Sequence, residues 1–166
     1  MPFRTLIKAN KLSGWKCKAL KKSKALPEYY VSVESWNFDQ HSNCVLYTIE
    51  VGVLLKIEQG EYVMIFTFEK RYSQLRSVHK SLRRTFNDPP NLPKFPPKKI
   101  IGNLEREFVN ERYQQLHDYF STIPLLFKIE QNQEFKQCFN YQMLYAMWRS
   151  GVEASIHNTS LPFQGL

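Results

Sequence analysis

From Tyr29 to Tyr72 apolar runs broken by short polar turns replace the charged pattern of the preceding residues, as a series of strands requires. "YYVSVESWNF" (Tyr29–Phe38) and "CVLYTIEVGVLL" (Cys44–Leu55) are rich in β-branched and aromatic residues, and "DQHSN" between them is a polar turn. "EYVMIFTFEKRY" follows the turn signal "EQG" (Glu58–Gly60), so the pattern predicts an antiparallel meander of three strands.

Beyond Tyr72 the pattern becomes that of a helix. Ser73 stands where an N-cap would, and Leu75, Val78, Leu82 and Phe86 recur at spacings of three and four. "NDPPNLPKFPPKK" ends this helix, because proline lacks the amide proton and favours an extended polyproline II path. A second helix is expected from near Leu104 through "EREFVNERYQQLHDYFSTI", with Phe108, Val109, Leu116, Tyr119, Phe120 and Ile123 on one stripe. "NQEFKQCF" fits a short third helix that "YQMLYAMW" continues or follows, and weak periodicity from Ser150 onward predicts a loose tail. The fold class expected is α+β: a three-stranded antiparallel β-meander packed on a helical subdomain, with a proline-rich polyproline II loop.

Composition adds limits to this picture. A chain of 166 residues suits one domain, and no run of about 18 apolar residues is present to span a bilayer. The N-terminal "MPFRTLIKANKLSGWKCKALKKSK" is basic but lacks the apolar core of a secretory signal, which points to the cytosolic side of membranes. Cys17, Cys44 and Cys138 are odd in number and widely spaced, and the four histidines show no metal-ligand spacing, so neither a disulfide framework nor a metal site is expected. The net charge of +8 is uneven: residues 1–28 carry Arg4 and seven lysines against Glu28, leaving the rest nearly neutral. That predicts a basic N-terminal extension, suited to a polyanion or simply to solubility.

Three local features carry chemistry. Arg112 lies four residues from both Phe108 and Leu116, on the apolar stripe, where a guanidinium needs a partner. An internal salt bridge or snorkelling to the stripe edge would satisfy it as well as a ligand. Arg71, Tyr72 and Ser73 join a guanidinium, an aromatic face and the free N–H groups of a helix start, a combination that holds phosphate on a ring-shaped ligand and that also fits an ordinary strand end. "LPKFPPK" (Leu92–Lys98) leads through Lys99 into Ile100 and Ile101, a stretch both cationic and oily; core packing under a loop is the alternative reading of the isoleucines.

"KRYSQLRSVHKSL" at 70–82, "LPKFPPK" at 92–98 and "FVNERYQQLHDYF" at 108–120 together resemble, in order and spacing, a phox-homology (PX) domain of the sorting-nexin type. The resemblance covers residues 29–140, between an N-terminal extension (1–28) and a C-terminal helix and tail (141–166). It implies a phosphoinositide-binding peripheral membrane module, most often selective for phosphatidylinositol 3-phosphate. By the same resemblance Arg71 would hold the 3-phosphate, Tyr72 stack beneath the inositol ring, Ser73 supply a phosphate contact, Lys98 meet the 1-phosphate and Arg112 bond the 4- and 5-hydroxyls. Ile100, Ile101 and Leu104 would dip into the bilayer, with Lys94 and Lys99 as auxiliary cations, joined by Arg83 and Arg84 if bisphosphates bind. Lys70, where the family often has arginine, and Leu75 and Val78, where it more often has Phe and Leu, depart from the pattern.

The resemblance implies a cytoplasmic protein, peripheral on endosomal membranes, with trafficking-complex proteins as candidate partners. Neither a cofactor nor catalysis is expected, since no nucleophile and base pair or Gly-rich phosphate loop is visible. Two rivals remain: a protein-interaction role for the Pro93-x-x-Pro96 segment as a polyproline ligand, and non-selective binding of anionic lipid or nucleic acid by the basic extension. No nucleic-acid module motif supports the last. The chain is too short for a membrane-bending helical domain after the PX unit.

Overall fold

The structure, a computed structural model, describes residues 3–156. Four strands, β1 (Phe3–Lys8), β2 (Tyr29–Asp39), β3 (Cys44–Ile57) and β4 (Gly60–Arg71), form one antiparallel sheet in the order β1-β4-β3-β2. The helices are α1 (Gly14–Lys22), α2 (Tyr72–Thr85), α3 (Arg106–Leu126), α4 (Gln133–Cys138) and α5 (Tyr141–Ile156). The α+β class and the meander are as the sequence predicts. The sheet has four strands rather than three, because β1 adds to the outer side of β4 from Phe3↔Thr67 to Lys8↔Tyr62. Its six residues include Arg4 and Lys8, and those charges conceal the alternation that sends Leu6 to one face and Ile7 to the other.

Period two sorts the side chains between the faces. Val31, Val33, Tyr47, Ile49, Val51, Phe66 and Phe68 face the helical subdomain, where Leu75, Val78, Leu82, Leu116, Phe120 and Phe135 close the main core. Tyr30, Leu54 and Val63 face the other way, and Ala19 and Leu20 of α1 cover them. Tyr30 pairs with Gly52 across the ladder, and a Cβ at position 52 would lie 2.1 Å from the Tyr30 ring, so only glycine admits that ring.

Residues 3–22 are therefore folded against the sheet. Lys16 of α1 bridges Glu34 at 2.7 Å and Glu50 at 2.8 Å, and Tyr30 Oη donates to the same Glu50 at 2.5 Å. Burial works against the Lys16 charge, and the bonds to the two carboxylates outweigh it, so the ammonium is held above its usual range. Trp15 reaches past the β2 edge to meet His117 of α3 edge-on at 5.3 Å.

That edge is closed by α3, which runs antiparallel to β2. Tyr113 Oη donates to Glu34 O at 2.9 Å, His117 Nδ1 bonds Val33 O at 3.1 Å, and Trp36 Nε1 donates to Asn110 Oδ1 at 2.8 Å. Backbone groups that an edge strand would expose to other chains are satisfied in this way. The loose tail expected from Ser150 does not start there: α5 continues to Ile156, with Gly151 placed close against Leu55. The rest of that expected tail, residues 157–166, lies outside the described residues.

Candidate functional site

At one end of the sheet β4 runs directly into α2. Arg71 is the last extended residue, and its N–H donates to Gln74 Oε1 at 2.9 Å, so the N-cap is Arg71 and not Ser73. The register Leu46↔Arg71 puts this junction beside the β2–β3 turn. There the Asp39 carboxyl is held below its usual range, chiefly by its bond from Ser42 and in part by the Arg71 charge.

Tyr72 opens α2 and ties it to the proline-rich loop, donating from Oη to Pro96 O at 2.7 Å. Phe95 of that loop is buried against α2 and α3; its ring stacks on His79 at 4.6 Å and meets Tyr119 edge-on at 5.0 Å. With Phe95 and Pro96 buried and a carbonyl already engaged, this segment is folded into its own domain and not presented as a free polyproline ligand.

Arg112 is the centre of the arrangement. It is 6% exposed, with its guanidinium carbon 3.9 Å from the Tyr72 ring centroid and 4.4 Å from that of Phe108. Set against both rings, it donates from Nη2 to Pro97 O at 3.3 Å, while its Nε is buried with no acceptor among the described residues. The Tyr47 hydroxyl is likewise buried, beside Arg112, and makes no well-formed hydrogen bond among the described residues. Burial raises the Tyr47 pKa, and the nearby Arg112 charge acts in the opposite direction. Among the described residues no carboxylate forms an ion pair with Arg112, so the internal salt bridge left open by the sequence is absent. A charge kept from water without its counter-charge costs several kcal/mol, roughly, unless a ligand supplies one.

The site residues named from the sequence fall into three groups. Arg71, Tyr72 and Arg112 come together at this end of the sheet. Lys98 adjoins Pro97 but is exposed and makes no ion pair among the described residues, whereas it is Lys99 whose ammonium sits 4.4 Å from the Phe108 ring centroid. The Ser73 side chain lines a separate cleft of about 390 Å³ with Lys70, Ser77, Glu134 and Cys138, on the α4 side of α2. Lys94 is exposed, and Arg83 is engaged by Asp88 at 2.5 Å.

Three contributors escaped the sequence reading. Arg76 follows Tyr72 by one helical turn, and its charge opposes the rise that burial gives the Tyr72 pKa. Its four-residue spacing from Tyr72 was the available signal. Phe108 was assigned to the core stripe and instead carries two cations, and Tyr47 was an ordinary strand aromatic.

Ile100 and Ile101 are 80% and 85% exposed and Leu104 is 44% exposed, which rules out core packing for this loop. Bare aliphatic side chains thus project next to Lys98 and Lys99, at the end of the domain that holds Arg71 and Arg112. Among the described residues no helix is long and apolar enough to cross a membrane, and no group of three or more His, Cys, Asp or Glu is placed to hold a metal.

His79 makes the packing here sensitive to pH. Burial first, then the Arg83 and Arg76 charges, lower its pKa from 6.5 to about 4, so the folded state holds it neutral. The unfolded chain takes up that proton below pH 6.5, so His79 favours folding above this pH and the contribution is lost as pH falls towards 4. Thermal unfolding at pH 7 and pH 5 is expected to show a loss of about 1 kcal/mol from this residue, after allowance for its partial exposure. His79→Gln should flatten that slope; an unchanged slope would exclude His79 as its source.

Comparison with known proteins gives a consistent pattern. Residues 62–142 match the family model described as PX domain. Bovine sorting nexin-20 is 30% identical over 94 residues, covering 57% of this chain and 28% of the relative. The rat PX domain-containing protein kinase-like protein is 41% identical over 54 residues, covering 32% of this chain and 9% of the relative. The chain thus spans well under half the length of these relatives. A crystal structure of a designed CISK-PX domain matches with a TM-score of 0.48 and 22% identity, over 66% of this chain and 96% of that one.

Proposed function

Residues 62–142 belong to the PX domain family, a family of phosphoinositide-binding membrane modules, and from that premise we propose that this protein binds phosphatidylinositol 3-phosphate and is recruited by it to endosomal membranes. The observation that carries the reading is Arg112: a buried guanidinium set against the Tyr72 and Phe108 rings, with no carboxylate partner and no acceptor for its buried Nε–H among the described residues. Vicinal hydroxyls of an inositol ring are acceptors of the right shape for a planar fork. Arg71 takes the 3-phosphate from the strand end, where the β2–β3 turn limits its neighbours. Lys98 meets the phosphate that joins the ring to the lipid, as a point charge that tolerates variation in distance. Tyr72 presents its ring beside Arg112, and the Ser73 contribution is made through its backbone N–H in the first turn of α2, since its hydroxyl faces the α4 cleft. Ile100, Ile101 and Leu104 enter the acyl region while Lys99 and Lys94 remain at headgroup level.

This is a binding role and not catalysis. Proteins of the trafficking machinery are the partners that an endosomal location brings within reach. Titration with soluble inositol 1,3-bisphosphate tests the pocket apart from the bilayer. Arg112→Ala should weaken it by about 2 kcal/mol, some thirtyfold, since a charge-assisted bond is worth roughly 1.5 to 3 kcal/mol. Unchanged affinity would remove Arg112 from the site. Vesicles carrying each phosphoinositide in turn then test selectivity, and equal binding to all of them would sink the 3-phosphate assignment.

A further inference from the structure

The folded N-terminal segment places its cations far from the pocket. Along α1 the contacts move from Glu34 and Glu50, under Lys16, to Tyr30, Leu54 and Val63, under Ala19 and Leu20. Ser23 Oγ then accepts from the Tyr29 N–H, so the chain leaves α1 at the end of β2 opposite Phe38. From Val63 to Arg71, β4 covers about 27 Å at roughly 3.4 Å per residue. Screening at physiological salt acts over about 8 Å, so charges beyond Leu20 do not feel a bilayer held at the Arg71 end.

What lies there is cationic, unpaired and partly oily. Lys18, Lys21 and Lys22 are exposed at helical spacings of three and four, flanked by exposed Lys11 and Lys24. None of the five forms an ion pair among the described residues, and the neighbouring Glu28 is engaged by Lys56 at 3.1 Å. Leu26, next to this cluster, is 71% exposed. Like charges at Lys18 and Lys22 disfavour a helix of only nine residues, so the stripe is no aid to folding. Lysines are point charges without the fork that selects one phosphate, and with a bare leucine beside them they suit a diffuse anionic lipid surface.

We propose that Lys11, Lys18, Lys21, Lys22 and Lys24, with Leu26, form a second membrane contact at the opposite pole, so that one molecule bridges two bilayers. The proposal rests on the preceding reading only for which end meets the first membrane.

The test uses the full chain and two vesicle populations, phosphatidylcholine with phosphatidylserine and phosphatidylcholine with phosphatidylinositol 3-phosphate, followed by light scattering and cosedimentation. Wild type should cluster the mixture. Lys18→Glu/Lys21→Glu/Lys22→Glu should lose phosphatidylserine binding by about a hundredfold, at roughly fivefold per lysine, and should lose clustering. Its affinity for the 3-phosphate vesicles should stay within about twofold, since the two poles lie more than a screening length apart. Arg71→Ala should do the reverse, keeping phosphatidylserine binding. The phosphatidylserine arm contains no phosphoinositide, so it stands or falls apart from the pocket. Equal phosphatidylserine binding by the triple variant, or no clustering by a wild type that binds both vesicles, would overturn the bridge and leave an acidic protein segment as the stripe's partner.

Discussion

Arg71→Ala is expected to lower affinity for phosphatidylinositol 3-phosphate by about a hundredfold or more. Two charge-assisted bonds from one guanidinium to a phosphate are worth at least roughly 3 kcal/mol, and each 1.4 kcal/mol is about tenfold. The fold should not register the change. Arg71 is exposed and within salt-bridge distance of no carboxylate among the described residues, and the helix-starting bond to Gln74 comes from its backbone N–H, which alanine retains. Thermal unfolding should therefore stay within about 0.5 kcal/mol of wild type. Arg71→Lys separates charge from shape: it keeps the cation, loses the fork, and should fall between the two. Binding of the 3-phosphate lipid by the alanine variant at wild-type strength would mean that another cation holds the phosphate, with Arg76 first in line because the structure sets it beside Tyr72.

Some of this architecture was legible from residue pattern alone, and the exceptions have physical causes. β2, β3 and β4 read directly as strand because they are dense in β-branched and aromatic residues, with stretches buried on both faces, under the helical subdomain on one and under α1 on the other. β1 does not, because a six-residue edge strand carrying Arg4 and Lys8 looks locally like a charged arm; only its register against β4 makes it a strand. The α1 lysines misled in the same way, since the partners of Lys16 are Glu34 and Glu50, distant in sequence. Tertiary contacts, not local propensity, decide both segments.

Within the site, Arg112 was visible as a charge on an apolar stripe, and its burial with no carboxylate partner among the described residues sets aside the internal salt bridge that the spacing also allowed. Ser73 illustrates the opposite limit. A serine before a helical run is the commonest N-cap signal, yet the N-cap of α2 is Arg71, two residues earlier, and the step of about 100° from Tyr72 to Ser73 turns Ser73 away from Arg112 and towards the α4 cleft.

Replacing Ile100 and Ile101 together by aspartate should separate the two halves of recognition. Burying an aliphatic side chain fully is worth roughly 1.5 to 3 kcal/mol, so partial insertion of the pair gives about 2 to 3 kcal/mol. Aspartates there also meet the negative surface of the leaflet, which Lys98 and Lys99 would otherwise engage. Affinity for vesicles bearing phosphatidylinositol 3-phosphate should fall by about a hundredfold. Affinity for soluble inositol 1,3-bisphosphate should not change, because both side chains point away from the protein, at 80% and 85% exposure, and neither supports Arg112 or Tyr72. The paired serine variant removes the apolar surface without adding charge and should retain part of the vesicle affinity, which apportions the loss between insertion and repulsion. Vesicle binding unaffected by the aspartates would show that the loop stays in water. A parallel loss of soluble headgroup would instead make the loop a wall of the pocket, since Pro97, which holds Arg112 through its carbonyl, lies only three residues before Ile100.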